Sequence, residues 1–317
     1  MITKDKWEWI SERREIFPFF ALLGLIIVST ILSPYFFTII NLRNILAQVA
    51  VIAVLAAGET FVILVGGIDL SPGSVLALSG AVVAYLMKFL NIHPFLSIIL
   101  ALLVGISAGL INGFLVTKVK IPSFVATLSM MAIARGGALI ITGGSPISLF
   151  PPSFRIIAKY FGPISGLTFI MIFIYILGQF ILSKTRLGRY IYALGGNEEA
   201  LRYSGIKADK VKIFVFAFSG FCASLGGIML TARLDSAYPI AGEGYELDAI
   251  ASSVLGGISF VGGIGSLIGT FMGALIMTIL GNILNLLQVP PFYQYIARGL
   301  VLAIAATSLA RGVKFAK

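Results

Sequence analysis

Residues 45–65, ILAQVAVIAVLAAGETFVILV, and residues 73–90, GSVLALSGAVVAYLMKFL, decide the fold of this chain. Each stretch is close to the roughly 20 apolar residues that an α-helix needs to cross the hydrocarbon core of a bilayer. A Gly-Gly pair at residues 66–67 lies between them. The two stretches therefore predict two membrane-spanning helices that are joined by a short break.

The composition of the whole chain agrees with a membrane protein. Of its 317 residues, 58% are hydrophobic and 11% are charged, whereas a soluble domain has about 25% charged residues. A soluble domain with this composition would leave most of its apolar side chains without a core to enter. The composition predicts one polytopic membrane domain and argues against two soluble domains.

Apolar windows recur along the sequence and predict an all-α polytopic membrane protein with about ten transmembrane helices, some of them discontinuous. The predicted spans are residues 17–32, 45–65, 73–90, 94–116, 122–142, 166–182, 213–232, 247–260, 264–287 and 293–310. An even number of spans places both termini on the same side. We therefore expect a single transmembrane domain over residues 17–310, with short segments outside the membrane at residues 1–16 and 311–317.

The basic residues predict the orientation of these spans. Of 23 Lys and Arg residues, 16 fall in the two terminal segments, at Lys118 and Lys120, and in the loop 183–212. All of these segments lie on one side in the ten-span arrangement, and positive loops face the cytoplasm. Both termini are thus predicted to be cytoplasmic. A net charge of +10 would suggest nucleic-acid binding in a soluble protein, but confinement of the charge to these loops predicts no nucleic-acid partner.

Glycines indicate broken helices and close helix contacts. The pairs at residues 66–67 and 256–257 each end an apolar span that runs inward. Glycine-interrupted segments in matching places are typical of discontinuous helices in a duplicated unit, here with both copies in the same orientation. Small residues four apart let another helix backbone approach, or alternatively slide during gating. Two spans carry such a stripe, formed by Gly105, Gly109, Gly113 and by Gly265, Gly269, Gly273.

Polar residues within apolar spans are candidates for a translocation path, because an ionisable group at mid-span costs roughly 2.5–3.5 kcal/mol on insertion scales. The candidates are Glu59, Thr60, Asp69, Ser71, Asn112, Arg135, Asn282 and Asn285. One interpretation places them along a hydrophilic path for a polar solute. The other is structural: Glu59 or Asp69 pairs with Arg135 inside the bundle, or Asp69 caps a helix at the break. The sequence leaves both open.

Energy coupling is not expected within this chain. An ion-coupled carrier groups acidic or His residues in mid-membrane, and here two scattered acids form a poor relay. A phosphate-binding loop needs two glycines and a Lys before Ser or Thr. The nearest match, residues 178–185, lacks the second glycine. No catalytic residue, metal ligand or cofactor is predicted.

The loop 183–212 is the longest on the predicted cytoplasmic side. Asn197 can cap a short helix over residues 198–204, and Gly205 suits its C-terminal turn. Such a helix fits docking to a cytoplasmic protein, and a solvated surface loop is the alternative. The predicted docking residues are Asn197, Glu198, Glu199, Ala200, Leu201, Arg202, Tyr203 and Gly205.

Long motifs extend over nearly the whole chain: FVILVGGIDLSPG (61–73), ATL (126–128), GGSPI (143–147), LGRYIYALGGNEEA (187–200), GYELDAIA (244–251), VLGGIS (254–259), GTFMGA (269–274) and the segment 282–293. Together they resemble the permease subunit of ribose-type bacterial ABC sugar importers, which include ribose, xylose and galactose systems. Three features depart from the family pattern. Glu59 stands where an apolar residue is common, Pro72 stands where Val is common, and the loop 143–165 differs in length and content.

The resemblance implies a multi-pass protein of the bacterial inner membrane that works as a homodimer in the lipid bilayer. It implies a cytoplasmic ATP-binding subunit, seated on the helix at 197–205, and an extracytoplasmic binding protein that delivers ribose or a similar pentose or hexose. Acidic residues in the external loop 233–248 are candidates for docking that binding protein. They are Asp235, Glu243, Glu246 and Asp248.

Two other functions stay open at this stage. An ion-coupled secondary sugar transporter would carry its own coupling residues. A membrane enzyme acting on lipid-linked sugars would need clustered carboxylates or metal ligands at one membrane face, and only the loop 235–248 approaches this pattern.

Overall fold

A computed structural model describes residues 16–314 of the chain. Most of the predicted cytoplasmic segment at 1–16 and the last residues of the predicted tail at 311–317 lie outside the described residues. Within them the regular structure is helical apart from two pairs of very short strands, and loops connect these elements. The helices in chain order are α1 (Ile16–Leu32), α2 (Ile39–Leu64), α3 (Pro72–Lys88), α4 (Pro94–Phe114), α5 (Ser123–Thr142), α6 (Pro152–Arg155), α7 (Gly166–Lys184), α8 (Arg186–Gly196), α9 (Glu198–Tyr203), α10 (Ala208–Leu234), α11 (Tyr245–Leu255), α12 (Leu267–Leu286) and α13 (Pro291–Lys314).

Six helices among residues 16–314 are long and apolar enough to cross a membrane. They are α2, α4 with the π-helical turn Leu115–Val119 that extends it, α5, α7, α10 and α12. The apolar helices α1 and α3 are shorter, with 17 residues each. These eight helices and α13 coincide with nine of the ten predicted spans.

The predicted span at 247–260 is wrong as a continuous helix. Helix α11 has 11 residues, which corresponds to about 16 Å of rise and about half of a bilayer core. After Leu255 the chain continues as a loop to Ser266, where α12 is capped. Gly265, with φ of +138°, belongs to this loop, so it is not part of the predicted helical stripe. A helix ends just before each Gly-Gly pair, as predicted: α2 ends at Leu64 and α11 at Leu255.

Short strands in the loops correct the all-α prediction. Strand β1 (Ile147–Ser148) pairs antiparallel with β4 (Ser236–Ala237), and β2 (Tyr160–Phe161) pairs antiparallel with β3 (Ile164–Ser165). The β1–β4 pair ties the loop after α5 to the loop after α10. Periodicity gave no signal for two-residue strands, because they satisfy loop backbone groups and bury no continuous apolar face.

Helix α2 is the centre of the core. Every residue from Val49 to Leu64 is buried, and α7, α10, α11 and α12 pack around it. A helix that is apolar on all sides belongs in the interior of a bundle. The alanines of this segment allow neighbouring helices to approach closely.

The glycine stripes are helix contacts, as predicted. Gly105, Gly109 and Gly113 of α4 face α10, and a Cβ at Gly109 would collide with the Phe216 backbone carbonyl. In the same way, Gly273 of α12 meets the Ser252 carbonyl of α11, and Gly269 meets the Gly256 carbonyl just after α11. These pairs bring helix backbones together where a side chain would not fit.

The two broken helices meet at one end of the bundle. The Gly263 N–H donates to the Leu64 carbonyl at 2.8 Å, and the Tyr192 hydroxyl of α8 donates to the Gly265 carbonyl at 3.0 Å. Helices α2 and α11 therefore both run toward the end where α8 and α9 lie, which we call the α8–α9 end. This agrees with the predicted common orientation of the two broken units.

Candidate translocation site

A cavity of about 500 Å³ opens at the opposite end of the bundle, the cavity end. Its walls come from α2, α10, α11, α12, α13 and the loop after α10. Its size lies within the range of small-molecule sites. The polar and aromatic residues that line it are Gln48, Arg233, Tyr238, Tyr245, Asp248, Thr278, Asn285 and Arg298.

Charged groups of both signs face this cavity. Arg298 donates from Nη1 to Asp248 Oδ2 at 2.8 Å, and the Asp248 side chain is 7% exposed. The other Asp248 oxygen, Oδ1, is buried without a hydrogen-bond partner, and so is Thr278 Oγ1. Arg233 makes no hydrogen bond or ion pair within the described residues. The cavity therefore combines an ion pair with polar atoms whose hydrogen-bonding capacity is unused.

Of the eight predicted path residues, Asn285 alone lines this cavity. Its Oδ1 accepts a hydrogen bond from Gln294 Nε2 at 2.8 Å. Asn282 forms a reciprocal amide pair with Asn41, at 2.7 Å and 3.0 Å, which joins α12 to α2. Asn282 thus holds two helices together and lies away from the cavity lining.

A buried polar network surrounds the first break. Asp69 Oδ1 accepts from the Ser71 N–H at 2.9 Å and the Ser71 hydroxyl at 2.6 Å, while Oδ2 accepts from the Ser219 hydroxyl at 2.8 Å. Asn112 Nδ2 donates to the Ser71 hydroxyl at 3.1 Å, and the Asp69 N–H donates to Glu59 Oε1 at 3.2 Å. The network fastens the break between α2 and α3 to both α4 and α10.

The capping role predicted for Asp69 takes a modified form. Ser71 is the N-cap residue of α3, and Asp69 accepts a hydrogen bond from the Ser71 N–H just before the helix. Glu59 is fully buried, and its Oε2 has no partner within the described residues. Both acids lie in the closed interior of the bundle.

Thr60 belongs to a second polar cluster. Its Oγ1 lies 2.7 Å from Thr270 Oγ1 and 3.2 Å from Ser253 Oγ. The three hydroxyls join α2, α11 and α12 midway between the cavity and the breaks. Because each is fully buried, they fix the mutual packing of the three helices.

The predicted pairing of Arg135 with Glu59 or Asp69 is wrong. Arg135 Nη1 donates to the carbonyls of Pro239 and Ala241, both at 2.9 Å. These carbonyls belong to the loop that forms a wall of the cavity. The sequence could not reveal this arrangement, because backbone carbonyls satisfy the guanidinium without any acidic partner.

The four acids proposed for docking of a binding protein have different surroundings. Asp235 Oδ1 accepts from the Phe150 N–H at 3.2 Å, and Glu243 is exposed. Glu246 is partly buried, and its Oε1 accepts from the Gly244 N–H at 3.3 Å. Asp248 is buried and paired with Arg298, so it is a cavity residue and presents no carboxylate on the surface.

Helix α9 has the predicted caps. Asn197 Oδ1 accepts from the Ala200 N–H at 2.9 Å, and Gly205 follows the helix with φ of +81°. The predicted docking residues are not all accessible. Leu201 is 5% exposed and belongs to the main core, whereas Tyr203 is 89% exposed. Tyr203 therefore remains available to a partner, and Leu201 does not.

Ion pairs fasten α9 to the neighbouring helices. Glu198 accepts from Arg202 at 2.8 Å and from Lys212 at 2.7 Å, while Asp209 accepts from Arg202 at 2.7 Å and from Lys118 at 2.9 Å. Partial burial raises the pKa of Glu198, but hydrogen bonds from Lys212 and Arg202 more than offset this, and the pKa lies below its ordinary value. The network links α9 to α10 and to the π-helical turn after α4.

Sequence reasoning missed most of the cavity lining. Gln48, Thr278 and Arg298 lie inside windows that are predicted to be apolar spans. Arg233 and Tyr245 lie in the predicted external loop 233–248. Arg298 carried a usable signal, because an ionisable residue within an apolar span marks a functional site by default. Its pairing with Asp248, 50 positions away in sequence, becomes visible only in the folded structure.

Comparison with known proteins decides the family. The sequence model of the permease component of branched-chain amino acid transport systems matches residues 41–306. The chain belongs to this permease family. No solved structure matches it.

The permease is similar to proteins named for sugar transport. It is 46% identical over 302 residues to the ribose import permease protein of Escherichia coli K12, covering 94% of this chain and 93% of the relative. It is 44% identical over 295 residues to the ribose import permease protein of Bacillus subtilis 168, covering 91% and 90%. It is 42% identical over 298 residues to the D-allose transport system permease protein of Escherichia coli K12, covering 92% and 90%. The predicted resemblance is confirmed, and because these relatives are transport components, the enzyme alternative is set aside.

Proposed function

We propose that this permease forms the translocation pathway of an ABC importer for ribose or a similar pentose or hexose in the bacterial inner membrane. The cavity is the outer vestibule of that pathway. The observation that carries the proposal is a polar cavity, sized for a small solute, at one end of a bundle whose relatives are named ribose and D-allose permeases. A neutral sugar needs hydrogen-bonding groups along its path, and this cavity provides them.

Inward of the cavity the path is closed by packed polar residues. The hydroxyl cluster of Thr60, Ser253 and Thr270 holds α2 against α11 and α12, and the network around Asp69 holds the first break. In the proposed cycle these contacts part to let the solute pass. Asn285 faces the solute directly. The other predicted path residues hold the helices and loops that form the walls of the path; they are Glu59, Ser71, Asn112, Arg135 and Asn282.

The proposed topology has ten crossings with both termini in the cytoplasm. The crossings are α1, α2, α3, α4, α5, α7, α10, α11 with its following loop, α12 and α13. Two features support it: the cavity lies opposite the α8–α9 end, and the basic residues concentrate in the segments assigned to the cytoplasm.

Reporter fusions test this topology. A reporter fused after Lys120 or Gly205 should read cytoplasmic, and one fused after Ser153 should read external. A single reversed reporter would overturn the arrangement.

Energy coupling is proposed to pass through α9 to a cytoplasmic ATP-binding subunit, as the importer family implies. The ion pairs of Glu198, Arg202 and Asp209 make α9 move with α10 and the end of α4.

Uptake into vesicles that contain ATP and a protonophore distinguishes ATP-driven import from ion-coupled transport. Transport that survives collapse of the ion gradient supports the importer, and transport that collapses with it supports the rival.

A second copy of the chain and the bilayer are proposed to cover the remaining apolar surface. Exposed aromatic and aliphatic side chains on α1 and α13, such as Phe17 at 68% and Phe292 at 79%, need an apolar environment. Native mass spectrometry from lipid nanodiscs, in the presence of the ATP-binding subunit, should show two permease copies. A single copy would refute the homodimer.

A further inference from the structure

Three segments of the chain meet through their backbones at the α8–α9 end. They are the end of α2 at Leu64, the end of α8 at Gly195, and the loop between α11 and α12 at Gly262 and Gly263. The Gly263 N–H donates to the Leu64 carbonyl at 2.8 Å. A Cβ added at Gly195 would collide with both the nitrogen and the oxygen of this hydrogen bond. We call this contact of four residues the glycine junction.

The glycine junction is packed too closely for side chains. Gly262 has φ of +90°, and a Cβ added to it would lie 3.0 Å from the Gly195 Cα and 3.0 Å from the Leu64 carbonyl oxygen. Backbones approach this closely only where small residues meet. Side chains adapt to a displacement by changing rotamer, and backbone atoms in direct contact do not. A displacement of one segment therefore passes directly to the other two.

Helix α8 is fixed to the junction at one end and to α9 at the other. The Tyr192 hydroxyl donates to the Gly265 carbonyl at 3.0 Å, which gives α8 a second contact with the loop after α11. Ile191 and Leu194 of α8 are buried in the main core. Asn197 alone separates α8 from α9, and it caps both helices. Helices α8 and α9 thus form one segment that joins the proposed docking site to the junction.

The junction connects this segment to both broken helices. Helix α2 ends at Leu64, and α11 ends at Leu255, before the loop that enters the junction. Both helices also form walls of the cavity at the opposite end. Coupling between distant sites is carried by hydrogen bonds and rigid secondary elements. Here a single helix, α8, contacts the ends of the two elements that shape the cavity.

We propose that the glycine junction transmits movement of the α8–α9 segment to both broken helices at once. Gly195 and Tyr192 are then positioning residues for transport, because they hold α8 against α2 and against the loop after α11. The inference rests on the proposed function, since it takes α9 to be the docking site of the ATP-binding subunit. It adds the route by which that docking reaches the cavity.

The first experiment tests the contact alone. Gly195→Ala places a methyl group on the hydrogen bond between Gly263 and Leu64. Gly196→Ala is the matched control, because it adds the same group at the next position, where no atom lies within 4 Å. In nanodiscs, hydrogen exchange at the Gly263 amide should be about threefold to tenfold faster in Gly195→Ala, the effect of one lost hydrogen bond. Equal exchange in the two variants would overturn the junction.

The second experiment tests the coupling. The importer is reconstituted with its ATP-binding subunit and binding protein, and uptake of D-ribose and hydrolysis of ATP are measured in the same proteoliposomes. Gly195→Ala should bind the ATP-binding subunit normally, because the exposed Tyr203 of α9 is unchanged. Its uptake per ATP hydrolysed should fall by about 2-fold to 30-fold, the range for changes that alter coupling between sites. Gly196→Ala should keep the unmodified ratio. A loss of folded permease would lower uptake and hydrolysis together and leave this ratio unchanged.

The outcomes separate the junction from the proposed function. Faster exchange in Gly195→Ala with an unchanged uptake per ATP would overturn the coupling route, while the proposed function stands. Failure of the unmodified permease to bind the ATP-binding subunit would overturn both. If Gly195→Ala does not accumulate in the membrane, Tyr192→Phe takes its place, because it removes the hydroxyl that holds α8 to Gly265 and adds no atom. Its uptake per ATP should fall by about threefold to tenfold, and an unchanged ratio would overturn the coupling route.

Discussion

The proposed docking of α9 to an ATP-binding subunit can be tested by mutation, because Leu201 and Tyr203 differ strongly in exposure. Tyr203 is 89% exposed, and Leu201 is 5% exposed within the main core. Tyr203→Ala removes a side chain that contacts little of its own chain. Leu201→Ala removes part of the permease core.

Leu201→Ala should lower the stability of the permease, whereas Tyr203→Ala should weaken its binding to the ATP-binding subunit. Leu201→Ala should destabilise the permease by about 2–5 kcal/mol, the usual cost of truncating a buried leucine. Tyr203→Ala should change the stability of the permease by less than about 0.5 kcal/mol, as exposed substitutions do. If Tyr203 is an anchor in the docked complex, its loss should cost about 2 kcal/mol of binding. That cost corresponds to roughly 30-fold weaker association with the ATP-binding subunit.

The assay needs both quantities for each variant. Thermal unfolding in detergent reports the stability of the permease, and binding of the ATP-binding subunit to permease in nanodiscs reports docking. Tyr203→Phe is the matched control, because it keeps the ring and should bind almost normally. Binding of Tyr203→Ala that stays within twofold of the unmodified permease would remove α9 from the coupling role.

Three further perturbations follow from contacts at other points in the bundle. Glu59→Leu should lower the stability of the permease by about 1–3 kcal/mol, because it leaves the Asp69 N–H without an acceptor. Glu59→Gln keeps an acceptor, so it should insert normally and alter only the transport rate. Equal thermal unfolding of Glu59→Leu and the unmodified permease would contradict this. Gly109→Leu should destabilise the contact between α4 and α10 by about 3 kcal/mol or more. The control Gly136→Leu lies at a site with no atom within 4 Å of an added Cβ, so it should barely change the unfolding midpoint. Similar midpoints for both variants would refute the close helix contact. Because the pKa of Glu198 is depressed below its ordinary 4.5, its ion pairs stabilise the fold above that pH and lose their effect as the pH falls through the lower folded value. The midpoint difference between the unmodified permease and Glu198→Gln should therefore be largest near neutral pH and shrink as the pH falls below 4.5. A difference that grows on acidification would contradict this.

Much of the fold could be predicted from the sequence because the bilayer imposes a simple length rule on apolar segments. The spans around α2, α4 and α10 followed from that rule, and the glycine stripe of α4 followed from its spacing. Helix α11 was predicted too long, since the apolar composition of residues 247–260 says nothing about where a helix stops. The two-residue strands had no periodicity to detect.

The candidate site was predictable only in part. Asn285 was found as a polar residue in an apolar span, and the caps of α9 were found from their residue types. The cavity itself depended on contacts between segments far apart in sequence, such as Asp248 with Arg298. Leu201 and Tyr203 could not be told apart, because a helix of six residues has too few turns to show which side is apolar.

The loop from Gly256 to Ser266 joins two helices that form facing walls of the cavity. Asp248 and Tyr245 stand on the helix before it, and Thr278 stands on the helix after it. The same loop is held to α8 by the Tyr192 hydroxyl at 3.0 Å. The two helices are therefore connected through one loop at the α8–α9 end, the end that the proposed topology places in the cytoplasm, and this loop can act as their hinge. Stiffening the hinge should slow turnover while leaving the affinity of the resting cavity unchanged, so that speed and selectivity can evolve independently in this permease.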